Sequence, residues 1–149
     1  MIIRYAEQED AKIIFDWRND SLSRSMMIQN QPISWHDHLN WFKNTLKLEK
    51  RHILIGYYED NKELVGMVRF DIREKKANIS INLNPYWRGK KVSSILLDLS
   101  IKKFTKMKKI ILQAKIKKEN HLSKKCFERC DFTHHKQDNN FDYYRRSIS

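Results

Sequence analysis

Two neighbouring segments, Leu64 to Ile72 and Ala77 to Leu83, alternate apolar and polar residues with period two around a turn at Glu74-Lys75. That alternation predicts an antiparallel pair with one face oily and the other polar throughout, and any fold built on it must cover the oily face. With a tight turn, residue numbers in opposing pairs sum to 149. Phe70 then faces Ile79 and Val68 faces Ile81 on one side, while Asp71 meets Asn78 and Arg69 meets Ser80 on the other. Glu-Lys lacks the positive-φ preference of a two-residue hairpin turn, so the register holds only if the turn is short, whereas the two faces survive any turn of the same parity.

The flanking segments supply the rest of a layered fold. Ile2 to Tyr5 reads as a short strand, and Glu9 to Arg18 carries Ile13, Ile14 and Trp17 at helical spacing, with Asn19-Asp20-Ser21 as its end. Ser34-Trp35-His36-Asp37 predicts a capping box ahead of a helix with Leu39, Trp41, Phe42, Thr45 and Leu46 inward. His52 to Tyr58 reads as a strand, followed by a turn at Asn61. After the hairpin come a helix over Val92 to Met107 (Ile95, Leu96, Leu99 and Phe104 inward), a strand over Lys109 to Ile116, and a helix over Asn120 to Cys130 (Leu122, Cys126, Phe127 and Cys130 inward). Phe132 and Phe141 to Arg145 read as closing strands. The order predicts an α+β or mixed α/β layer fold in one domain spanning 1–149, with no repeat or linker to divide it.

Composition narrows the class. No apolar run approaches the ~18 residues a membrane span needs, and the first residues turn polar too early for a secretory signal, so a cytoplasmic protein with no membrane partner is expected. Cys126 and Cys130 are too few for a disulfide scaffold or a closed zinc site and read as reduced structural thiols. His134-His135 and His36-x-His38 lack further ligands, so no metal is expected. The 30 Lys and Arg against 18 Asp and Glu give a net charge of +12, which suits a phosphate-bearing ligand. No aromatic-basic stacking motif of an RNA-binding fold is evident, so nucleic acid is not the expected partner.

Asn84-Pro85-Tyr86-Trp87-Arg88-Gly89-Lys90-Lys91-Val92-Ser93 runs from a strand end through a basic turn into a helix, whose free N–H groups and positive dipole end suit a pyrophosphate. This stretch resembles motif A of the GCN5-related N-acetyltransferases, in which an Arg/Gln-x-x-Gly-x-Gly/Ala loop cradles the pyrophosphate of acetyl-CoA. Arg88 and Gly89 fit its start, whereas Lys91 and Ser93 stand where the family has glycine and Gly/Ala. Lys91 therefore either crowds the site or supplies a cation of its own. Asn120 and the run Lys124 to Phe132 resemble motif B, an Asn followed by a helix ending in Tyr-Glu-Lys-x-Gly-Phe, with Asp131 in place of the glycine and Phe127 in place of the tyrosine. Asp16 to Asp20, Pro32 to Phe42 and Gly66 to Asp71 further resemble the UDP-4-amino-sugar N-acetyltransferases of the pseudaminic-acid and related nonulosonate routes.

The resemblance implies a mixed central sheet with helices on both faces, and direct attack of a neutral amine on the thioester of acetyl-CoA. The cofactor site would comprise Leu83, Arg88, Gly89, Lys90, Lys91, Val92, Ser93, Asn120 and Phe127. A backbone N–H at about Leu83 would stabilise the oxyanion. A base should receive the amine's proton. Asp71, on the polar face beside Arg69, is the first candidate, although pairing with Arg69 would make it a poor base; His52 and His38 are alternatives. Trp17, Arg18, Asn19, His38, Trp41 and Arg69 would line the acceptor pocket, with Arg18 on a nucleotide phosphate and Trp41 as an apolar platform. Trp17 and Trp41 also fit a core role, and an Arg18–Asp20 pair would account for Arg18 without a ligand. Phe127 cannot protonate the leaving thiolate. The expected partners are acetyl-CoA and a small-molecule amine, foremost the 4-amine of a UDP-linked deoxy-amino-sugar, and the resemblance allows a homodimer. A protein N-terminal or lysine amine is the alternative acceptor. From a different class, a degenerate CoA-binding or basic nucleic-acid-binding module is the rival reading.

Overall fold

The computed structural model describes residues 1–106 and 108–149. Its strands are β1 (Ile2–Tyr5), β2 (Arg51–Tyr57), β3 (Leu64–Arg73), β4 (Lys76–Leu83), β5 (Ile110–Lys117), β6 (Thr133–Gln137) and β7 (Phe141–Ile148). Its helices are α1 (Ala11–Asn19), α2 (Ser21–Met26), α3 (Trp35–Lys47), α4 (Ser93–Phe104) and α5 (His121–Arg129), with 3-10 turns at Gln8–Asp10 and Pro85–Trp87. The strands form one sheet in the order β1-β2-β3-β4-β5-β7-β6. Every pair is antiparallel except β4 with β5. Among the described residues no helix is long and apolar enough to cross a membrane.

The β3–β4 hairpin adopts the tight-turn register, with Phe70 opposite Ile79, Val68 opposite Ile81, Arg69 opposite Ser80 and Asp71 opposite Asn78. Glu74 makes the turn possible by taking φ +59°, a conformation that disfavours a side chain and that the pairing around it enforces. The oily face of the hairpin carries the larger core, where Leu54, Val68, Phe70 and Ile79 pack against Leu96, Leu97, Ile101 and Phe104 of α4 and Phe127 of α5. On the opposite face Ile53, Ile55 and Met67 meet Ile14 and Trp17 of α1 and Phe42 of α3.

The helices depart from expectation at their margins. Ser34 caps α3 by accepting the Asp37 N–H at 3.2 Å, one half of the expected box. Leu46, Ile95 and Leu122 lie outside the cores, Leu122 being 83% exposed, while His38 is wholly buried on α3. The helix expected over Val92 to Met107 is seen as Ser93–Phe104, and Met107 lies outside the described residues. Helix α2 has no counterpart in the sequence reading. It buries none of its residues and is held instead by a side-chain cap, Asp20 accepting from the Ser23 N–H.

The β4–β5 pairing positions the site. These strands are parallel and meet only over Lys76–Asn78 and Ile111–Gln113, after which β4 continues to Leu83 along β3 and β5 to Lys117 along β7 without pairing to each other. The sheet is therefore split at its centre.

Candidate active site

A cavity of about 580 Å³ occupies the split. Its lining comes from both faces of the sheet, so it passes through the layer: Asn120, Ser123 and Phe127 of α5 stand on one side, and Arg18, Trp41, Arg51 and Arg69 on the other. The residues after α2, Met27 to Gln29, close over it. The Asn84 N–H bonds to Val65 O at 2.9 Å, so alternation along β4 turns the Ile81 and Leu83 N–H groups the other way, toward the gap left by β5. These amides are available to a ligand lying in the split.

On the α4–α5 side, the turn into α4 is shaped for an anion. Gly89 takes φ +71° and Lys91 φ +59°. Lys91 thus holds a backbone conformation natural to glycine, at the position where the resemblance expects glycine. Nothing lies within 4 Å of the place a Gly89 Cβ would take, so the approach to the loop is open. Val92, at the start of α4, offers no capping side chain, and Leu96 is the first amide to close a helical bond, onto Val92 O. The amides from Ser93 onward are left for a phosphate, with Lys90 and Lys91 exposed beside them. Asn120 caps α5 through Oδ1, accepting the Ser123 N–H at 3.2 Å, which leaves its Nδ2 donors for the cavity. These features fit the pyrophosphate and pantetheine arm of CoA.

Arg88 is placed differently from its expected role. Its guanidinium bonds to the Asp20 carboxylate and, at 2.6 Å, to Ser23 Oγ, tying the loop before α4 to the start of α2. This bond is the chief reason the Asp20 carboxyl is held below the usual carboxylate range. Asp20 pairs with Arg88, and the expected Arg18–Asp20 pair does not form.

Arg18 instead lies over the Trp41 ring, its guanidinium carbon 4.5 Å from the centroid, and donates to His38 Nδ1 at 3.1 Å. Because guanidinium only donates, Nδ1 must accept. The His38 proton is then on Nε2, which bonds to Ala11 O at 2.8 Å. Burial, with the Arg18 charge as a lesser cause, pulls His38 below its ordinary value. Arg69 approaches the same Trp41 ring at 5.7 Å. Burial lowers both guanidiniums from their ordinary value, and for Arg18 the charge of Arg69 adds to it. Asp71 accepts from Arg51 Nε at 2.7 Å and lies 3.2 Å from Arg69 Nε, whose N–H nevertheless finds no aligned acceptor. Arg51 and Arg69 thus share one carboxylate, and Arg18 has no carboxylate partner.

Several expected site residues are not brought to the cavity. Trp17 is 2% exposed and belongs to the smaller core. Asn19 spends its amide on Ile33, donating to its carbonyl and accepting its N–H at 3.0 Å each. His38 stands behind Arg18 and does not line the cavity. His52 pairs opposite Phe70 and packs beside Tyr5 and Phe104, on the sheet face away from Asp71. Asp71 sits opposite Asn78, five residues along β4 from Leu83, or about 17 Å at the rise of a strand. It cannot serve an amine held at the Leu83 N–H. Among the described lining residues no carboxylate and no imidazole faces this cavity. Sequence reasoning missed Arg51, Ser80 and Ser123, which line the cavity where β4 and β5 separate.

Other expected details hold. Asp131, which stands where the resemblance has glycine, takes φ +65°, a left-handed conformation that Asp tolerates better than most residues. Cys126 and Cys130 are free and buried, Cys130 donates to Ser94 O at 3.3 Å, and burial pushes its thiol up to about 12.

Comparison with known proteins agrees with this geometry. Residues 1–133 match the family described as an acetyltransferase (GNAT) domain. The chain is 27% identical to acetyltransferase PseH of Campylobacter jejuni over 138 residues, covering 91% of this chain and 84% of that one. The crystal structure of that N-acetyltransferase superposes with a TM-score of 0.74 at 19% identity, covering 99% of this chain and 98% of the other. Spermidine N-acetyltransferase of Vibrio cholerae, solved with CoA and spermine, superposes with a TM-score of 0.83 at 18% identity, covering 99% and 94%.

Proposed function

This chain belongs to the GNAT acetyltransferases and is an acetyl-CoA-dependent N-acetyltransferase, and from that premise we propose that its acceptor is the 4-amine of a UDP-linked deoxy-amino-sugar. The observation that carries the proposal is the cationic acceptor side of the cavity, where Arg51 and Arg69 pair with the one carboxylate of Asp71 and Arg18 stands on Trp41 and a neutral His38. A dianionic nucleotide sugar offsets that charge, whereas a polyamine adds to it. The resemblance of residues 16–20, 32–42 and 66–71 to UDP-4-amino-sugar N-acetyltransferases supports the same acceptor.

When bound, acetyl-CoA supplies an activated acetyl group as a thioester. The chain's part is to hold and orient. The turn from Gly89 to Ser93 and the start of α4 take the pyrophosphate, and Asn120 takes the pantetheine arm. The Leu83 N–H donates to the acetyl oxygen, a fixed dipole aimed where negative charge develops. Arg18 and Arg69 bind the acceptor's phosphates, and Trp41 backs them.

With no carboxylate or imidazole among the described residues lining this cavity, the positive field does the work assigned to a base. Neighbouring cations disfavour the substrate's ammonium form, so the amine enters neutral after releasing its proton to water. On the opposite wall Phe127 has no proton to give; as the C–N bond forms and the C–S bond breaks, the proton shed by the amine nitrogen passes to the leaving sulfur, with the Ser123 hydroxyl, one helical turn before Phe127, as the relay.

The test is thiol release from acetyl-CoA by the purified protein with a UDP-linked 4-amino-sugar, with the product located by NMR. Acetylation at N4 is expected. Turnover confined to peptide or polyamine acceptors would overturn the proposal.

A further inference from the structure

On the acceptor side a second cavity, of about 390 Å³, continues from the first, and Ile28, Arg69, Ile79, Ser80 and Lys115 line both. It lies over the part of this face beyond the α1–α3 core. The strand registers lay its floor in two rows: Asn78, Gln113 and Arg145 on β4, β5 and β7, and Lys115, Tyr143 and Lys136 on β5, β7 and β6. Asn78 and Gln113 bond to each other at 2.9 Å, which fixes their amides.

Two observations ask for a ligand here. Arg145 Nε is buried without an acceptor, and across the groove Arg69 Nε, 3.2 Å from the Asp71 carboxylate, is buried with no acceptor in line with its N–H. Buried N–H groups are mostly paired in a finished fold, so Arg145 Nε, with the ill-aligned Arg69 Nε on the same groove, points to acceptors that arrive with a substrate. The lining also gathers Arg69, Lys115, Lys136 and Arg145 against Asp71, which Arg51 already holds. Such a cluster suits phosphate oxygens and base carbonyls, and Tyr143 offers a ring beside it.

Resting on the acceptor proposed above, the structure assigns this second cavity to the nucleoside diphosphate portion of the acceptor. The sugar amine reaches the split at β4, the phosphates pass Arg69, and the nucleoside lies over β5 and β7 against Tyr143 and Arg145. From β4 to β6 is three strand spacings, about 14 Å, enough for a sugar, two phosphates and a nucleoside laid across the strands.

The same chemistry occurs in the ADP portion of CoA, so the test is a calorimetric titration of UDP into full-length protein saturated with CoA. One saturable site is expected, weakened about tenfold or more by Arg145→Gln and by Tyr143→Leu separately, with CoA affinity and melting temperature unchanged. Lys136→Gln, on the exposed edge strand, gives a further reading if either variant fails to fold. UDP affinity equal to wild type in the folded variants, absence of UDP binding, or loss of UDP binding in the presence of CoA would each overturn the assignment. Turnover distinguishes this from failure of the proposed function. Absence of transfer to any UDP-amino-sugar overturns the acceptor itself, whereas transfer with unchanged KM in the variants overturns only the seat of the nucleoside.

Discussion

Replacing Arg18 with methionine removes a charge while keeping most of the side chain's bulk over Trp41. In the native protein this guanidinium is half-buried, stacks on Trp41 at 4.5 Å, and is bonded to a neutral histidine rather than to a carboxylate. Burial disfavours its charged form, so the folded chain holds a cation without a counter-ion. A hydrogen bond to a charged group contributes about 1.5–3 kcal/mol, so losing one to an acceptor phosphate should raise its KM about 10- to 150-fold. Stability should move little. Relief of the buried charge opposes the cost, about 1–3 kcal/mol, of leaving His38 Nδ1 without a donor. A net change under about 1 kcal/mol corresponds to a Tm shift of about 4 °C or less for a chain of this size. Initial rates of thiol release, with acceptor and acetyl-CoA varied in turn, separate the terms. The acceptor KM should rise while the acetyl-CoA KM stays within about twofold. An unchanged acceptor KM, or an equal rise in both, would refute the role given to Arg18.

Three further outcomes follow from the geometry. Lys91→Gly removes a side chain from φ +59°, which should relieve about 1–2 kcal/mol of strain, less the ~0.5–1 kcal/mol that glycine's freedom costs. Denaturant melts should show equal or slightly greater stability, while the acetyl-CoA KM rises and its salt dependence flattens; an unchanged KM would show that the Lys91 charge is idle. Gly66→Ala brings a Cβ to 2.8 Å from Asn82 O and 3.0 Å from Leu83 Cα, both backbone, so β4 must shift. This should cost about 1–3 kcal/mol and lower kcat, whereas Gly56→Ala, which meets the Leu96 and Met1 side chains, should destabilise with kcat intact. Equal kcat in both variants would count against the Leu83 N–H. His38 is held neutral below its ordinary value of about 6.5, so below that pH the unfolded chain takes up a proton that the folded chain refuses, and stability falls with pH down to the folded value. His38→Gln should flatten the fall in Tm across that window; an identical slope would contradict a buried neutral imidazole.

The hairpin was legible in the sequence because period-two alternation specifies faces, and in this chain Glu74 accepts the strained turn that sets the register. Helix α2 was illegible for the opposite reason. It buries no side chain, so it leaves no apolar period, and the Arg88–Asp20 pair that anchors it spans 68 residues. The loop before α4 and the cap of α5 could be read as local motifs. The acceptor side was legible only in part: Arg18, Trp41 and Arg69 line the cavity as the resemblance implied, whereas Arg51 has no local motif and joins them only where the central strands part. His52 shows the limit of loose alternation: it neighbours Arg51 in sequence but stands on the other face of the sheet. Asn19 shows another. Its place in a stretch that resembles sugar-nucleotide enzymes says nothing of its structural duty, which is to hold Ile33.

The measurement that bears most directly on a cationic acceptor site is the ratio of kcat/KM for a UDP-linked 4-amino-sugar to that for spermidine, on one preparation at two salt concentrations. Like charges brought together in a binding site cost several kcal/mol, so the sugar nucleotide should be favoured by about 100-fold or more. Added salt screens the exposed charges, so that preference should shrink as salt rises. Spermidine used as well as the sugar nucleotide, or a preference that ignores salt, would contradict the account.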